Sequence, residues 1–427
     1  MPRLIVKNIG PVKEVDIELS KVNVFMGPQS CGKSTLAKII SFCSWMEKRK
    51  FTKMSDSFLP AINHLCSYHK LGASPFANGS YIQDSSKIAY FGDDMNYFFN
   101  LTSEEKKHIS PSDDAIQEEV EQGRETFQFL MMKSVNPKVI YVPAERNFVS
   151  RVANLGDYND EEDNLQDFVS NWYEAKAHFS DVHPLKVLDL GVEYFSEDLK
   201  TNYVRINPTE KITLNSASSG LQSVIPLLTL LSWLSDGIYQ KEKPYSPNEH
   251  AELLDFIEKM RNNTTMDTAQ KKQFDKMSER LMGFIEGRVY SHTQFIVEEP
   301  EQNLFPDTQC ELLYSMLEAL NHGKKHRMVI TTHSPYILYA LNNCLLAGLV
   351  QDQVPQEVLK EIKCSRAAIA PSLVRVWEIE DGRIKDNGTD TANRTIQDSQ
   401  GLIRKNYFNQ IMQRVMSDYN NLLMFKE

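Results

Sequence analysis

The sequence predicts an α/β fold: a mixed, largely parallel sheet with antiparallel strands at its N-terminal end, interrupted by helical insertions. Three observations predict it. A glycine-rich stretch at residues 27–34 lies between an apolar strand-like run and an amphipathic helical pattern. Two further apolar runs, 295–297 and 328–332, are joined by a helical pattern over 307–320. The first 26 residues break into short strands at 4–6, 15–19 and 22–26, with Gly10-Pro11 turning the chain between the first two.

Taken in order, residues 1–49 form the N-terminal part of the core. Its helix starts near Lys33, with Leu36, Ile39, Ile40, Cys43 and Met46 at helical spacing. Residues 50–135 read as a helical or irregular insertion with one strand, at 87–91, and a highly charged stretch at 103–123 that has no sustained apolar face. Residues 136–238 return to the core with a buried strand at 138–142, an acidic and aromatic stretch at 156–182 that is helical in part, and an apolar helix after residue 218. Residues 239–288 are polar, rich in Glu, Lys and Met, and long enough for a short helical hairpin. Residues 289–345 hold the two later core strands. Residues 346–427 read as a C-terminal extension, with a strand and turn near 377–382 and a helix at 400–424.

Composition narrows the function classes. In 427 residues, 57 acidic against 47 basic side chains give a net charge of −10, which argues against a non-specific polyanion binder. With 41% apolar and 24% charged residues, the chain has enough apolar matter for a sizeable core. No apolar run reaches 18 residues; the most apolar stretch, 221–234, contains Pro226. The N-terminus lacks the apolar segment of a secretory signal. Six cysteines without framework spacing suit a reducing compartment, so a cytoplasmic location without membrane attachment is expected.

The chemistry concentrates in four places. Gly27-Pro28-Gln29-Ser30-Cys31-Gly32-Lys33-Ser34 fits G-x-x-x-x-G-K-[ST], followed by Thr35. The glycines let successive N–H groups curl towards phosphates, and the following helix adds its positive end. Lys33 supplies a point charge, and the Ser34 hydroxyl is a Mg²⁺ ligand. Next, the strand 294–297 ends in Glu298-Glu299 and turns at Pro300. With the loop upstream, Glu298 is assigned to the metal and Glu299 to the attacking water. Third, the strand 327–332 ends at His333, 34 residues after Glu299, where a neutral imidazole meets the γ-phosphate and the water. Last, Ser219 occupies the expected N-cap of the apolar helix, with Gly220 permitting close backbone approach to an anion.

In this order the motifs resemble the ABC-type ATPase superfamily, and within it the soluble branch of SMC-like ATPases and OLD (overcoming lysogenization defect) ATPases, many of them prokaryotic phage-defence proteins. Residues 27–34 stand as Walker A, Ser218-Ser219-Gly220-Leu221-Gln222 as an LSGGQ-like signature, 295–299 as Walker B and His333 as the switch histidine. Glu298-Glu299-Pro300-Glu301-Gln302-Asn303-Leu304-Phe305-Pro306 is similar to the OLD-type EEPE-x-x-LHP run, with Phe305 in place of His. Asn8-Ile9-Gly10-Pro11 and Tyr141-Val142-Pro143-Ala144-Glu145-Arg146 also resemble that branch.

The resemblance implies an ABC-ATPase head, a P-loop NTPase sheet that binds ATP and Mg²⁺. It implies a homodimer or higher homo-oligomer in which two heads sandwich two ATP molecules. Ser219, Gly220 and Gln222 of one copy then join the nucleotide site of the other. It also implies control of a separate effector, a nuclease or toxin, in anti-phage defence. Glu298 stands where most of the superfamily has Asp, and Ser218 and Leu221 depart from the signature. The Q-loop glutamine has only Gln83 as a candidate. The 94 residues after His333 show no D-x-D triad, so no nuclease domain is expected in this chain.

Other readings stay open beside this one. A DNA-associated SMC-like ATPase in repair or chromosome maintenance would use the basic clusters Lys48-Arg49-Lys50 and Lys324-Lys325-His326-Arg327, whose alternative is a solvated helix end or loop. A transporter subunit fits the insertions and the EEPE run poorly, and a small-molecule kinase fits Glu299 and His333 poorly. Arg146 contacts nucleotide, a partner, or a structural ion-pair partner. His64, Cys66 and His69 offer three zinc ligands without an obvious fourth.

Overall fold

The computed structural model describes residues 2–49, 65–72, 79–92, 96–100, 137–151, 163–197, 201–240, 290–321, 325–385, 394–404 and 406–426. Among these, ten strands form one sheet. The first three are β1 (Arg3–Ile9), β2 (Val12–Glu18) and β3 (Val22–Met26), followed by helix α1 (Lys33–Arg49). Then come β4 (Ile82–Phe91), β5 (Asn96–Asn100), β6 (Pro137–Val142) and helix α2 (Asn164–Lys176). A separate antiparallel sheet comprises β7 (Leu185–Lys186), β8 (Glu193–Glu197), β9 (Thr201–Asn207) and β10 (Glu210–Thr213), and leads into α3 (Ser219–Ser232). The chain closes with β11 (His292–Glu298), α4 (Pro306–Ala319), β12 (Arg327–Thr332), α5 (Pro335–Val350), β13 (Val374–Glu380), β14 (Arg383–Ile384) and α6 (Tyr407–Leu423).

The large sheet runs β5-β4-β1-β2-β14-β13-β3-β12-β11-β6. Its five strands β13, β3, β12, β11 and β6 are all parallel, whereas β1, β2, β4 and β5 pair antiparallel. This is the mixed α/β architecture expected from sequence. The parallel strands are buried on both faces, which explains their unbroken apolar runs. Side chains alternate between two cores, as strand geometry requires. Val22, Val24, Met26, Phe295, Val297, Met328 and Ile330 face α2 to α5; Phe25, Ile296 and Val329 face α1 and the N-terminal strands. No helix among the described residues is long and apolar enough to cross a membrane.

Three expectations need correction. The strand expected at 87–91 is longer, spanning 82–91, and pairs with β1 and with a β5 that the pattern did not reveal, so part of the 50–135 segment belongs to the main sheet. The 346–427 segment, expected as a strand and helix extension, is part of the core sheet: β13 pairs in parallel with β3 beside the phosphate loop, and Trp377 stacks on Phe25 with centroids 5.2 Å apart. The physical reason is burial of β3 on both edges as well as both faces; without β13 that strand would present an open ladder. The third correction concerns the cap of α3. The N-cap is Ser218, whose hydroxyl accepts from the Leu221 N–H, and Ser219 is the first helical residue. The expected helices at 103–123 and most of 239–288 lie outside the described residues, as do His64 and the side chains of Lys48, Arg49 and Lys50.

Candidate functional site

The phosphate loop leaves the C-terminal end of β3 and enters α1. Its curl requires positive φ at Gly27 (144°), Ser30 (61°) and Gly32 (107°). A Cβ on Gly27 would lie 2.1 Å from the Ile379 carbonyl of β13, so only glycine fits there. A Cβ on Gly32 would lie 2.8 Å from Val12, at the turn made by Gly10-Pro11. The Asn8-Ile9-Gly10-Pro11 motif thus has a structural job: it backs the loop. Gln29, Ser30 and Ser34 are exposed, Pro28 is half-buried, and Cys31 and Thr35 are buried. Lys33 is 5% exposed, and its ammonium donates to the Gly27 carbonyl at 3.0 Å and the Pro28 carbonyl at 2.6 Å. Burial lowers its pKa, opposed by Cys31, Glu299 and Glu301 nearby.

The acids sit at the same edge of the sheet. Glu298 ends β11 and is buried, with its Oε1 lacking any hydrogen-bond partner. Tyr141 on the neighbouring β6 lies beside it. Burial pushes the Tyr141 hydroxyl well above its ordinary pKa, and the Glu298 charge adds to that. Glu299 follows in the left-handed region, φ 41°. This kink turns its side chain out of the strand, where its Oε1 lies 3.4 Å from His333 Nε2 and its Oε2 accepts from Gln302 Nε2 at 3.0 Å. Those contacts, led by His333, hold the carboxyl at a pKa of about 2 against the opposing effect of burial.

His333 follows β12, the strand between β3 and β11, so the topology itself brings it between the loop and the acids. Its backbone N–H donates to Glu301 Oε1 at 2.6 Å. Glu301 is the acid whose role the sequence reading missed: it anchors the histidine loop. Its other oxygen, Oε2, is buried without a partner, and burial raises its pKa. The third carboxylate of the EEPE run was the available signal.

The start of α3 approaches the acid loop within the same chain. A Cβ on Gly220 would stand 2.9 Å from the Asn303 carbonyl. Ser218 and Ser219 are exposed, and Phe305 beside Asn303 and Leu304 is 73% exposed. Gln222, expected at the nucleotide of a second copy, is bonded within its own chain. It is buried; its amide donates to the Asn215 and Ala217 carbonyls and accepts from Arg151, clasping the loop before α3.

Arg146 is also corrected. It is fully buried and bonds to backbone carbonyls, not to a carboxylate side chain and not towards solvent. Burial lowers its pKa to about 10. Of the remaining candidates, His69 is buried against Tyr68 and Tyr141, and no group of three or more His, Cys, Asp or Glu able to hold a metal occurs among the described residues. His326 is fully buried, its Nδ1 accepting from the Thr293 N–H, which takes it out of the basic surface cluster. Gln83 is exposed on β4, separated from β3 by four strands in the sheet order.

Fold and site together define an α/β protein with a phosphate loop facing two strand-end acids and a histidine. No family model matches the sequence, and no curated protein matches it. Among solved structures, the chain is similar to the SMC head domain from Thermotoga maritima, with 11% identity over 79% of this chain and 90% of that one, at a TM-score of 0.34. It is similar to the SmcHead bound to the C-winged helix domain of ScpA, with 9% identity over 90% and 96%, at 0.36. It is also similar to the ATP-binding cassette MJ0796 in a dimeric post-hydrolysis state bound to ADP and Pi, with 10% identity over 90% and 96%, at 0.31.

Proposed function

We propose that the chain is an ABC-type ATPase that binds and hydrolyses ATP and works as a two-copy switch. One observation carries this reading. Lys33, Glu298, Glu299 and His333 lie at or just beyond the carboxyl ends of three adjacent parallel strands, β3, β11 and β12, the first remote in sequence from the other two, with Glu299 and His333 in contact at 3.4 Å. Crevices at the carboxyl ends of parallel strands are where such sheets bind ligands.

The residues fit ATP with Mg²⁺. The loop's positive-φ glycines and the α1 N-terminus suit the phosphates, and the orphaned Glu298 Oε1 suits a metal's water shell. Ser34 and Glu298 would hold Mg²⁺, which would supply neutralisation of charge developing on the phosphates. Lys33 must leave the carbonyls of Gly27 and Pro28 to reach phosphate, so nucleotide binding replaces internal bonds rather than adding to them. Glu299, held by Gln302 and His333, orients the attacking water.

The site is open on the side where Gln29, Ser30 and Ser34 are exposed, as are Ser218 and Ser219 of α3. We assign Ser219 and Gly220 to the nucleotide of a second copy, with exposed Phe305 beside that face. The motif resemblance extends the reading to control of a separate nuclease or toxin effector in anti-phage defence, in the cytoplasm, where six free cysteines are at home.

The test is solution mass by light scattering, with phosphate release, for wild type and Glu299→Gln in ADP and in ATP–Mg²⁺. Glu299→Gln should lose turnover and gain mass in ATP. Turnover that survives the substitution overturns the assignment of Glu299.

A further inference from the structure

We propose that Arg146 is a positioning residue that ties α3 to the backbone of Glu299, so that engagement of α3 by a second copy's nucleotide is felt at the water-orienting carboxylate of the same chain. This rests on the ATPase reading above.

A guanidinium carries five N–H donors in a rigid plane. In Arg146 all five have carbonyl acceptors. Nε donates to Ser223 at 3.0 Å; Nη1 donates to Glu298 at 3.0 Å and to Pro143 at 3.5 Å; Nη2 donates to Glu299 at 3.1 Å and Pro300 at 2.9 Å. Three of the five acceptors are thus consecutive residues of the acid loop, one is the nearby Pro143, and one belongs to α3, one helical turn beyond Ser219. The side chain is fully buried and makes no carboxylate pair.

A buried cation spent wholly on main-chain carbonyls does not serve charge pairing. Its planar fork fixes where those carbonyls point, and one of them belongs to Glu299, whose φ of 41° is unusual for a residue with a side chain. The acid loop meets α3 a second time where Gly220 packs on the Asn303 carbonyl. The loop is therefore held against α3 near both ends, at 298–300 by Arg146 and at 303 by direct contact. A shift of α3 against the sheet must move the Glu299 backbone or break these bonds. Because Ser219 and Gly220 are also the residues assigned to the second copy's nucleotide, the strut connects one composite site to the catalytic carboxylate of the other.

Arg146→Lys keeps the charge but has three donors and no plane. Phosphate release should show kcat reduced about 10- to 100-fold, the scale on which misplacing a catalytic group acts. Binding of a fluorescent ATP analogue should stay within about threefold, since the phosphate loop is untouched. An unchanged kcat overturns the proposal, as does a parallel loss of kcat and affinity, which a merely structural plug would give. If the lysine variant does not fold, hydrogen–deuterium exchange on wild type decides. A non-hydrolysable ATP analogue should raise protection at 219–227 and at 299–304 together, and protection of one segment without the other overturns the link. A wild type that does not hydrolyse ATP would instead overturn the ATPase reading.

Discussion

Glu299 shows how much of the site's behaviour resides in single contacts. Its carboxyl is held at about 2 by His333 and Gln302, below the ordinary carboxylate value of about 4.3. A depressed folded-state value stabilises the protein above the unfolded value, and that contribution disappears as pH falls through the folded one. The wild-type advantage in urea midpoint over Glu299→Gln should therefore be present at about pH 5. The difference should then shrink between about pH 4.5 and 2, in the direction that removes the wild-type advantage. A difference that stays flat to the lowest pH, or grows, would contradict the contacts with His333 and Gln302. Gly27 is the backbone counterpart of this argument. Its φ and the Ile379 carbonyl 2.1 Å from a would-be Cβ make the loop intolerant of any side chain at its first position.

At the scale of elements, β13 carries more than its position late in the chain suggests. Trp377 is fully buried and stacks on Phe25 of β3, and two residues on, Ile379 abuts the phosphate loop. Trp377→Ala should cost about 3–5 kcal/mol of stability, as large-to-small core truncations do, and weaken nucleotide binding along with it. Urea denaturation measures the first and analogue titration the second; a cost under about 1 kcal/mol would make β13 peripheral after all. The sequence made some of this legible and not the rest, for physical reasons. The parallel strands β3, β11 and β12 announce themselves because burial on both faces leaves unbroken apolar runs, and the loop between β3 and α1 because glycine spacing is dictated by phosphate geometry. What the sequence lacked was pairing. Nothing in Val374-Arg375-Val376-Trp377 tells that its neighbour is β3, some 350 residues earlier, since ladder bonds are made by backbone common to all residues. For the same reason the sequence left Arg146 open between nucleotide, partner and structural ion pair: a long polar side chain looks the same whether it meets phosphate or main-chain carbonyls. Glu301 was visible as a third acid, but its task depends on the proximity of the His333 backbone, which only the β11–β12 pairing creates.

For the whole molecule, the decisive question is whether a site is completed within one chain or across two. Gly220 touches its own acid loop, yet Ser218 and Ser219 at the start of the same helix face outward, as do Gln29, Ser30 and Ser34 of the phosphate loop. Two such surfaces on one chain close two sites when copies meet about a two-fold axis, each loop facing the other's helix. Mixing separates the cases. Lys33→Ala lacks a working phosphate loop and Ser219→Arg a working helix end, so each alone should be inactive. In mixed pairs, one of the two sites joins the intact loop of the Ser219→Arg copy to the intact helix end of the Lys33→Ala copy. Random pairing makes about half the dimers mixed with one good site each, so about a quarter of wild-type phosphate release should return if sites act independently. Recovery cannot arise if each chain completes its own site, because every chain in the mixture is then defective. A mixture as inactive as its components, with no ATP-dependent gain of mass in Glu299→Gln, would remove the trans arrangement and with it the switch, leaving a phosphate-loop protein that acts one copy at a time.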